Sequence, residues 1–430
     1  MNALLAIPME ARLAGVFLLG TLLGSLANLG IYRLAWHPRP IGPWAAPDPA
    51  VPRRRLGDRL PIIGWLGLRR ESALHGPGFW IRPLLVELAM GLGLAALYWW
   101  EIGRLGLLPP DVPRPVPAGP MLMLHVQYAC HVALVWLMVV ASAIDVDEKT
   151  IPDAVTVPGT LLGLALAAVY PWSLLPSLTV PAGRALTENL WQVVGPDSWP
   201  FLQLVSPQAW PASLDGFPHG WSLAIGLACW WFWCVALMPR TWHSQRGWRR
   251  AFGLCVARLA RQGVTYWILG MGAAGSLAIG AAWLRGGLGW TGLLSALVGV
   301  AGGGGLIWLV RVIGTAVLHR EAMGFGDVTL LAMIGAFLGW QTCLVIFFLA
   351  PFAALGVGVV QWIVSRDNEI PYGPFLCLAA VAAIVHWAAI WDRVWSAFAL
   401  GWIVPVIVLA CMAVMGLLLG MWQLARTVFR

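Results

Sequence analysis

The chain has 430 residues, of which 60% are hydrophobic and 11% charged, against roughly 25% charged in soluble domains, and its mean hydropathy is +0.77. That composition excludes a soluble globular protein and requires lipid as solvent. The net charge of +8 comes mostly from Arg gathered between apolar runs, not interleaved with aromatics on one surface, so nucleic acid is excluded as a partner and the Arg clusters are topology signals.

Apolar runs follow at about 12–32, 84–100, 121–144, 155–172, 220–238, 264–284, 289–313, 328–340, 342–364, 374–391 and 399–424. They predict an all-α, polytopic integral membrane protein of about 11 transmembrane helices. The first run follows Glu10 and Arg12, contains Asn28 and lacks a small-residue cleavage pattern, so it is expected to stay as an anchor.

The segment from Arg33 to Arg82 carries nine Arg against Asp48, Asp58 and Glu71, which marks it as cytoplasmic and puts the N-terminus outside. Counting spans from there places 145–153, 240–261, the turn before Asp327, 365–372 and the C-terminal Arg426 and Arg430 inside. The Pro-rich stretch 108–120 and the segment 173–218, poor in Arg, fall outside. Runs 328–340 and 342–364 nearly touch and read as a tight hairpin or one broken helix. Gly302–Gly305, within 289–313, reads as a site of close helix packing. The 28 Trp suit membrane interfaces, and the seven scattered Cys, without a CxxC pair, read as small buried hydrophobes.

Two segments carry chemistry. Asp145, Asp147, Glu148 and Asp153 crowd the end of one apolar run, with Asp145 nearest the hydrocarbon, where an ionisable group is costly and tends to be functional. Taken alone, the segment reads equally well as a solvated turn. Gly324-Phe325-Gly326-Asp327 precedes another run, and its glycines allow a tight turn. Alone, Asp327 reads as a helix N-cap. Together, both aspartates fall on the cytoplasmic edge of spans, where two close carboxylates cannot both ionise easily. One can hold a proton while the other activates water, which is peptide hydrolysis without metal, Ser or Cys.

Gly24–Leu34, Pro61–Leu66, Arg82–Leu88, Asp145–Asp153, Gly324–Asp327 and Ile370–Phe375 occur in the order of motifs of the type IV prepilin peptidases, and the chain resembles that family. The resemblance implies an intramembrane aspartic endopeptidase of the GxGD type with Asp145 and Asp327 catalytic and Gly324, Gly326, Asp147 and Asp153 supporting the motifs. It implies cleavage of the leader of type IV prepilins or type II secretion pseudopilins on the cytoplasmic side of the bacterial inner membrane. No cofactor is required for proteolysis. Many members also methylate the new N-terminus with S-adenosylmethionine, and many carry two CxxC pairs in the first loop. This loop has no Cys, so no zinc is expected, methylation is expected to be absent or weak, and S-adenosylmethionine would serve only if that activity is retained.

The expected organisation is 1–101, two helices and the Arg-rich loop; 102–172, helices flanking the first aspartate; 173–288, an insertion with two helices; 289–395, the catalytic core; and 396–430, an additional helix. A proton- or cation-coupled transporter could use the same aspartates, but no inverted repeat and no carboxylate deep inside a run supports it. Presenilin-like proteases share GxGD, but their Pro-Ala-Leu element does not follow Asp327.

Overall fold

The computed structural model describes residues 7–39, 41–44, 54–110, 112, 114–179, 202–206, 210–238, 261–319, 321, 323–365 and 371–428. Residues 240–260, most of 173–218, residues 366–370 and Arg430 lie outside these, so the expectations placed on them have no structural counterpart here.

Among the described residues the fold is all-α apart from one two-stranded antiparallel ribbon, Ser177–Thr179 (β1) with Gln203–Val205 (β2). Helix α1 (Met9–Leu34) carries Glu10 in its first turn and Arg33 in its last, each charge opposing the helix dipole at its end. The loop that follows contains a short helix α2 (Ile63–Leu68) and leads to α3 (Ile81–Tyr98), which closes with a π-helical turn, Trp99–Gly103. Helices α1 and α3 pack closely because small residues face each other: a Cβ on Gly20 would sit 2.8 Å from the Gly91 Cα, and one on Gly24 2.6 Å from the Glu87 Cα.

The long helix α4 (Ala118–Glu148) ends at Lys149 in the left-handed conformation, and α5 (Asp153–Val169) follows after Pro152. Helices α6 (Gly220–Ala236) and α7 (Gly263–Arg285) pack on each other, with the Trp230 indole donating to the Gly272 carbonyl at 2.9 Å. Helix α8 (Gly287–Leu318) runs unbroken through Gly302–Gly305. A Cβ on Gly303 would lie 2.6 Å from the Leu331 carbonyl oxygen, so these small residues admit the neighbouring helix.

That neighbour is α9 (Phe325–Ser365), which makes the most extensive contact with α8. Gly339 breaks it with φ 81° and ψ 172°, a backbone state that a Cβ would strain. Beyond Gly339 the chain folds back: the Cys343 Sγ lies 3.8 Å from the Leu331 carbonyl oxygen. Twelve residues of straight helix would separate those positions by about 18 Å. Of the two readings open in the sequence, the hairpin is the one seen. Helix α10 (Gly373–Val385) is followed, after a 92° bend at His386, by α11 (Trp387–Phe398). The last helix, α12 (Ile403–Val428), rests on α8, and only 6% of its apolar window is buried.

Among the described residues, seven helices are long and apolar enough to cross a membrane, or eight if the bent pair α10 and α11 forms one span. The difference from the expected eleven has a physical origin. Helices α5 and α6 have only 17 residues each, the two runs on either side of Gly339 form one continuous element that reverses at that glycine, and the run at 374–391 turns sharply at its end.

A buried polar pair links the C-terminal end of α3 to the first half of α4. Glu101, on the π-helical turn, accepts from or donates to His131 Nδ1 at 2.8 Å, and both side chains are fully inaccessible. One helical turn before His131, the Gln127 amide donates to the Leu174 carbonyl at 3.1 Å, tying the segment after α5 to α4.

Candidate active site

The four carboxylates near the end of α4 separate into distinct roles. Asp145 is 5% exposed and faces the bundle, where its Oδ2 accepts a hydrogen bond from the Gly373 backbone N–H at 3.1 Å. Asp147 points the other way and is gripped by Arg82, whose Nη1 reaches both carboxylate oxygens at 2.6 Å. The same guanidinium donates through Nη2 to the Ala143 carbonyl at 2.9 Å, so Arg82 fastens the last turn of α4, the turn that carries Asp145. Glu148 accepts the backbone N–H groups of Trp36 and His37, which tethers the chain leaving α1. Asp153 is exposed at the start of α5.

Asp327, in the first turn of α9, is 7% exposed. It is hydrogen-bonded by the backbone at Gly324 and lies close enough to Asp145 for their charges to interact. The glycines of the motif admit this approach. A Cβ on Gly326 would stand 2.8 Å from the Ile151 Cβ, and one on Gly373 would stand 2.9 Å from the Ile151 Cδ1 and 2.6 Å from Asp145 Oδ2. Three chain segments, 145–151, 324–327 and 372–373, therefore meet at one point, with Ile151 as the apolar wedge between them.

Sequence reasoning missed two nearby groups. Arg311 is buried on α8, pairs with Glu321, lies 5.8 Å from the Phe325 ring and contributes positive charge at Asp327. As a lone cation inside the apolar run 289–313 it could have been found by its cost in that setting. Tyr372 is half-buried; burial first and the Asp327 charge second push its hydroxyl up to about 12, so it stays a proton donor at neutral pH.

Glu87, without an assigned role in the sequence, is a buried hub. It accepts from the Trp65 indole at 2.9 Å, from Asn28 at 3.4 Å and from the Ile62 backbone N–H, joining three of the ordered motifs. Ile62 itself has φ 63° and ψ −60°, with the Ile63 N–H bonded to the Pro61 carbonyl at 2.6 Å, a γ-turn that is strained for a branched residue. The loop beyond is held by ion pairs between Arg54 and Glu71, at 3.0 Å, and between Asp58 and Arg70.

An open, mostly apolar groove of about 450 Å³ lies between a stripe of α4 that includes Met138, Ser142 and Val146 and a stripe of α10 that includes Pro374, Leu378 and Val381.

The Type IV leader peptidase family matches residues 252–359, a stretch that contains Asp327 but not Asp145 and begins inside the segment expected to be an insertion. Through this segment the chain is similar to the type IV leader peptidase family. Similar proteins include the prepilin leader peptidase/N-methyltransferase of Escherichia coli (strain K12), 35% identical over 91 residues, covering 21% of this chain and 40% of the relative. The protein of the same name from Aeromonas hydrophila is 31% identical over 100 residues, covering 23% and 34%. That from Legionella pneumophila is 31% identical over 101 residues, covering 21% and 35%. The chain thus spans well under half the length of the curated relatives it matches. No solved structure matches the chain.

Proposed function

We propose that the protein is an aspartic endopeptidase that works within the membrane and removes the leader from type IV prepilins or related pseudopilins. The observation that carries this reading is the meeting of two buried carboxylates, Asp145 and Asp327, at the junction of three motif segments. In the proposed reaction one aspartate, ionised, takes a proton from water as that water attacks the scissile carbonyl. The other, protonated, delivers its proton to the departing amide nitrogen. The Gly373 N–H orients Asp145, and Arg82 fixes the helical turn beneath it. The apolar groove between α4 and α10 suits the apolar segment that follows a leader.

The finer topology belongs to the same proposal: N-terminus outside, C-terminus inside, and the aspartates at the cytoplasmic edge of the inner membrane, a reading that the Arg distribution supports. So does the division at 1–101, 102–172, 173–288, 289–395 and 396–430.

Methyl transfer is not part of the proposal. The first loop holds none of the Cys that would form the two CxxC pairs many members of the resembled family carry there. The test is incubation of purified full-length protein with a prepilin and labelled S-adenosylmethionine in detergent. Release of the leader with an unlabelled mature N-terminus is expected; an intact prepilin would refute the peptidase reading, and a labelled product would refute the exclusion of methylation.

A further inference from the structure

The end of α1 carries a cavity that the peptidase chemistry does not use. It measures about 380 Å³ and is lined by residues including Asn28, Tyr32, Arg33, Arg39, Trp44 and Trp65.

The cavity is built, not left over. Its floor is fixed because Glu87 holds both Asn28 and the Trp65 indole. One wall is made where the chain turns back across the end of α1, with the Arg39 N–H bonded to the Tyr32 carbonyl at 2.9 Å. The opposite wall, 41–44, is fastened by Arg54, which donates to the Gly42 carbonyl at 2.6 Å while pairing with Glu71. Arg59 lies 5.4 Å over the Trp44 ring and steadies that indole.

Its charge is one-sided. Arg33 and Arg39 border it, no acidic side chain lines it, and neither guanidinium has an ion-pair partner among the described residues. The nearby carboxylates are committed elsewhere: Asp147 to Arg82, Glu148 to the backbone of Trp36 and His37, and Glu87 to its buried hub. The occupant is therefore an anion. Its level is set by α1, an apolar helix of 26 residues that ends at Leu34, with Leu34 and Trp36 exposed at and just after that end. A cavity at the point where a spanning helix leaves the hydrocarbon, with indoles and two free guanidinium groups, matches the depth and chemistry of a lipid phosphate.

We infer that this cavity binds the phosphodiester headgroup of an anionic phospholipid, with Arg33 and Arg39 on the phosphate and Tyr32, Trp44 and Trp65 around the headgroup. The site is independent of the aspartates and of the peptidase reading.

The test is native mass spectrometry of the full-length protein released from mixed phosphatidylcholine and phosphatidylglycerol micelles. Wild type should retain one phosphatidylglycerol and no phosphatidylcholine. At about fivefold per basic residue near a membrane surface, Arg33→Gln with Arg39→Gln together should weaken retention about thirty-fold, and Arg39→Gln alone about fivefold. Arg33→Lys with Arg39→Lys should keep most of it. Thermal unfolding in phosphatidylcholine micelles shows whether the Gln variants are folded, and Arg39→Gln alone decides the matter if the double variant is not. Equal retention by wild type and Gln variants would overturn the inference. Displacement of the lipid by inorganic phosphate would also overturn it, by making the ligand a soluble phosphate.

Discussion

Replacing Gly373 by Ala is the most informative small perturbation of the candidate site. The new methyl carbon would stand 2.6 Å from Asp145 Oδ2 and 2.9 Å from the Ile151 Cδ1, both well inside van der Waals contact. The Asp145 carboxylate must swing away, and the 3.1 Å bond from the Gly373 N–H is lost or bent. A hydrogen bond to a charged group contributes about 1.5–3 kcal/mol, which at 1.4 kcal/mol per decade is roughly a ten- to hundred-fold fall in rate. The effect should appear in kcat more than in KM, because the groove that receives the substrate is untouched. Cleavage of a purified prepilin in detergent, followed with the melting temperature of each preparation, separates lost alignment from lost folding. A folded Gly373→Ala protein with wild-type kcat would refute the claim that this N–H orients Asp145.

Further outcomes follow from groups away from the dyad. Glu101→Ala leaves His131 buried without its partner and should cost about 1–3 kcal/mol of stability, measured by unfolding in micelles. The double variant with His131→Ala should cost less than the sum of the singles, and strict additivity would contradict the pairing. In the first loop, the hydrogen bond from Arg70 holds the Asp58 carboxyl below its usual range. A depressed carboxyl contributes stability above its unfolded value, and that contribution is lost as pH falls through the folded value, so the loop should loosen below about pH 4. Pepsin cleavage within 54–75 should rise there in the wild type and be already raised at pH 4 in Asp58→Asn; identical profiles would contradict the role of the pair.

Much of the site could be read in the sequence because it is built from residues that are expensive where they stand. Asp145 and Asp327 end or begin apolar runs, and Arg counts combined with span counting lead to the expectation that both lie on one side of the membrane. The small residues of α8 were legible as packing, since nothing else explains four consecutive glycines in a spanning run. The reversal at Gly339 was legible only as a choice between a hairpin and a break, because hydropathy carries no direction. The bend at His386 was hidden for the same reason: the apolar run passes through it without Pro or Gly. Yet 387, 391, 394 and 398 keep a helical period of apolar residues that turn inward, a pattern that marks α11 as a separate amphipathic element. Glu87 and Arg82 stood in recognised motifs, but their roles depend on partners about 20 to 65 residues away in sequence, which no local pattern encodes.

The central claim is that Asp145 and Asp327 act as one catalytic unit. It is tested most directly by measuring prepilin cleavage with purified Asp145→Asn and Asp327→Asn proteins beside wild type, Asp147→Asn and Asp153→Asn, all shown to be inserted and folded. Removal of either member of a unit-acting pair should slow cleavage by several orders of magnitude, and the other two changes should cost less. Near-normal cleavage by either Asp145→Asn or Asp327→Asn would contradict the claim.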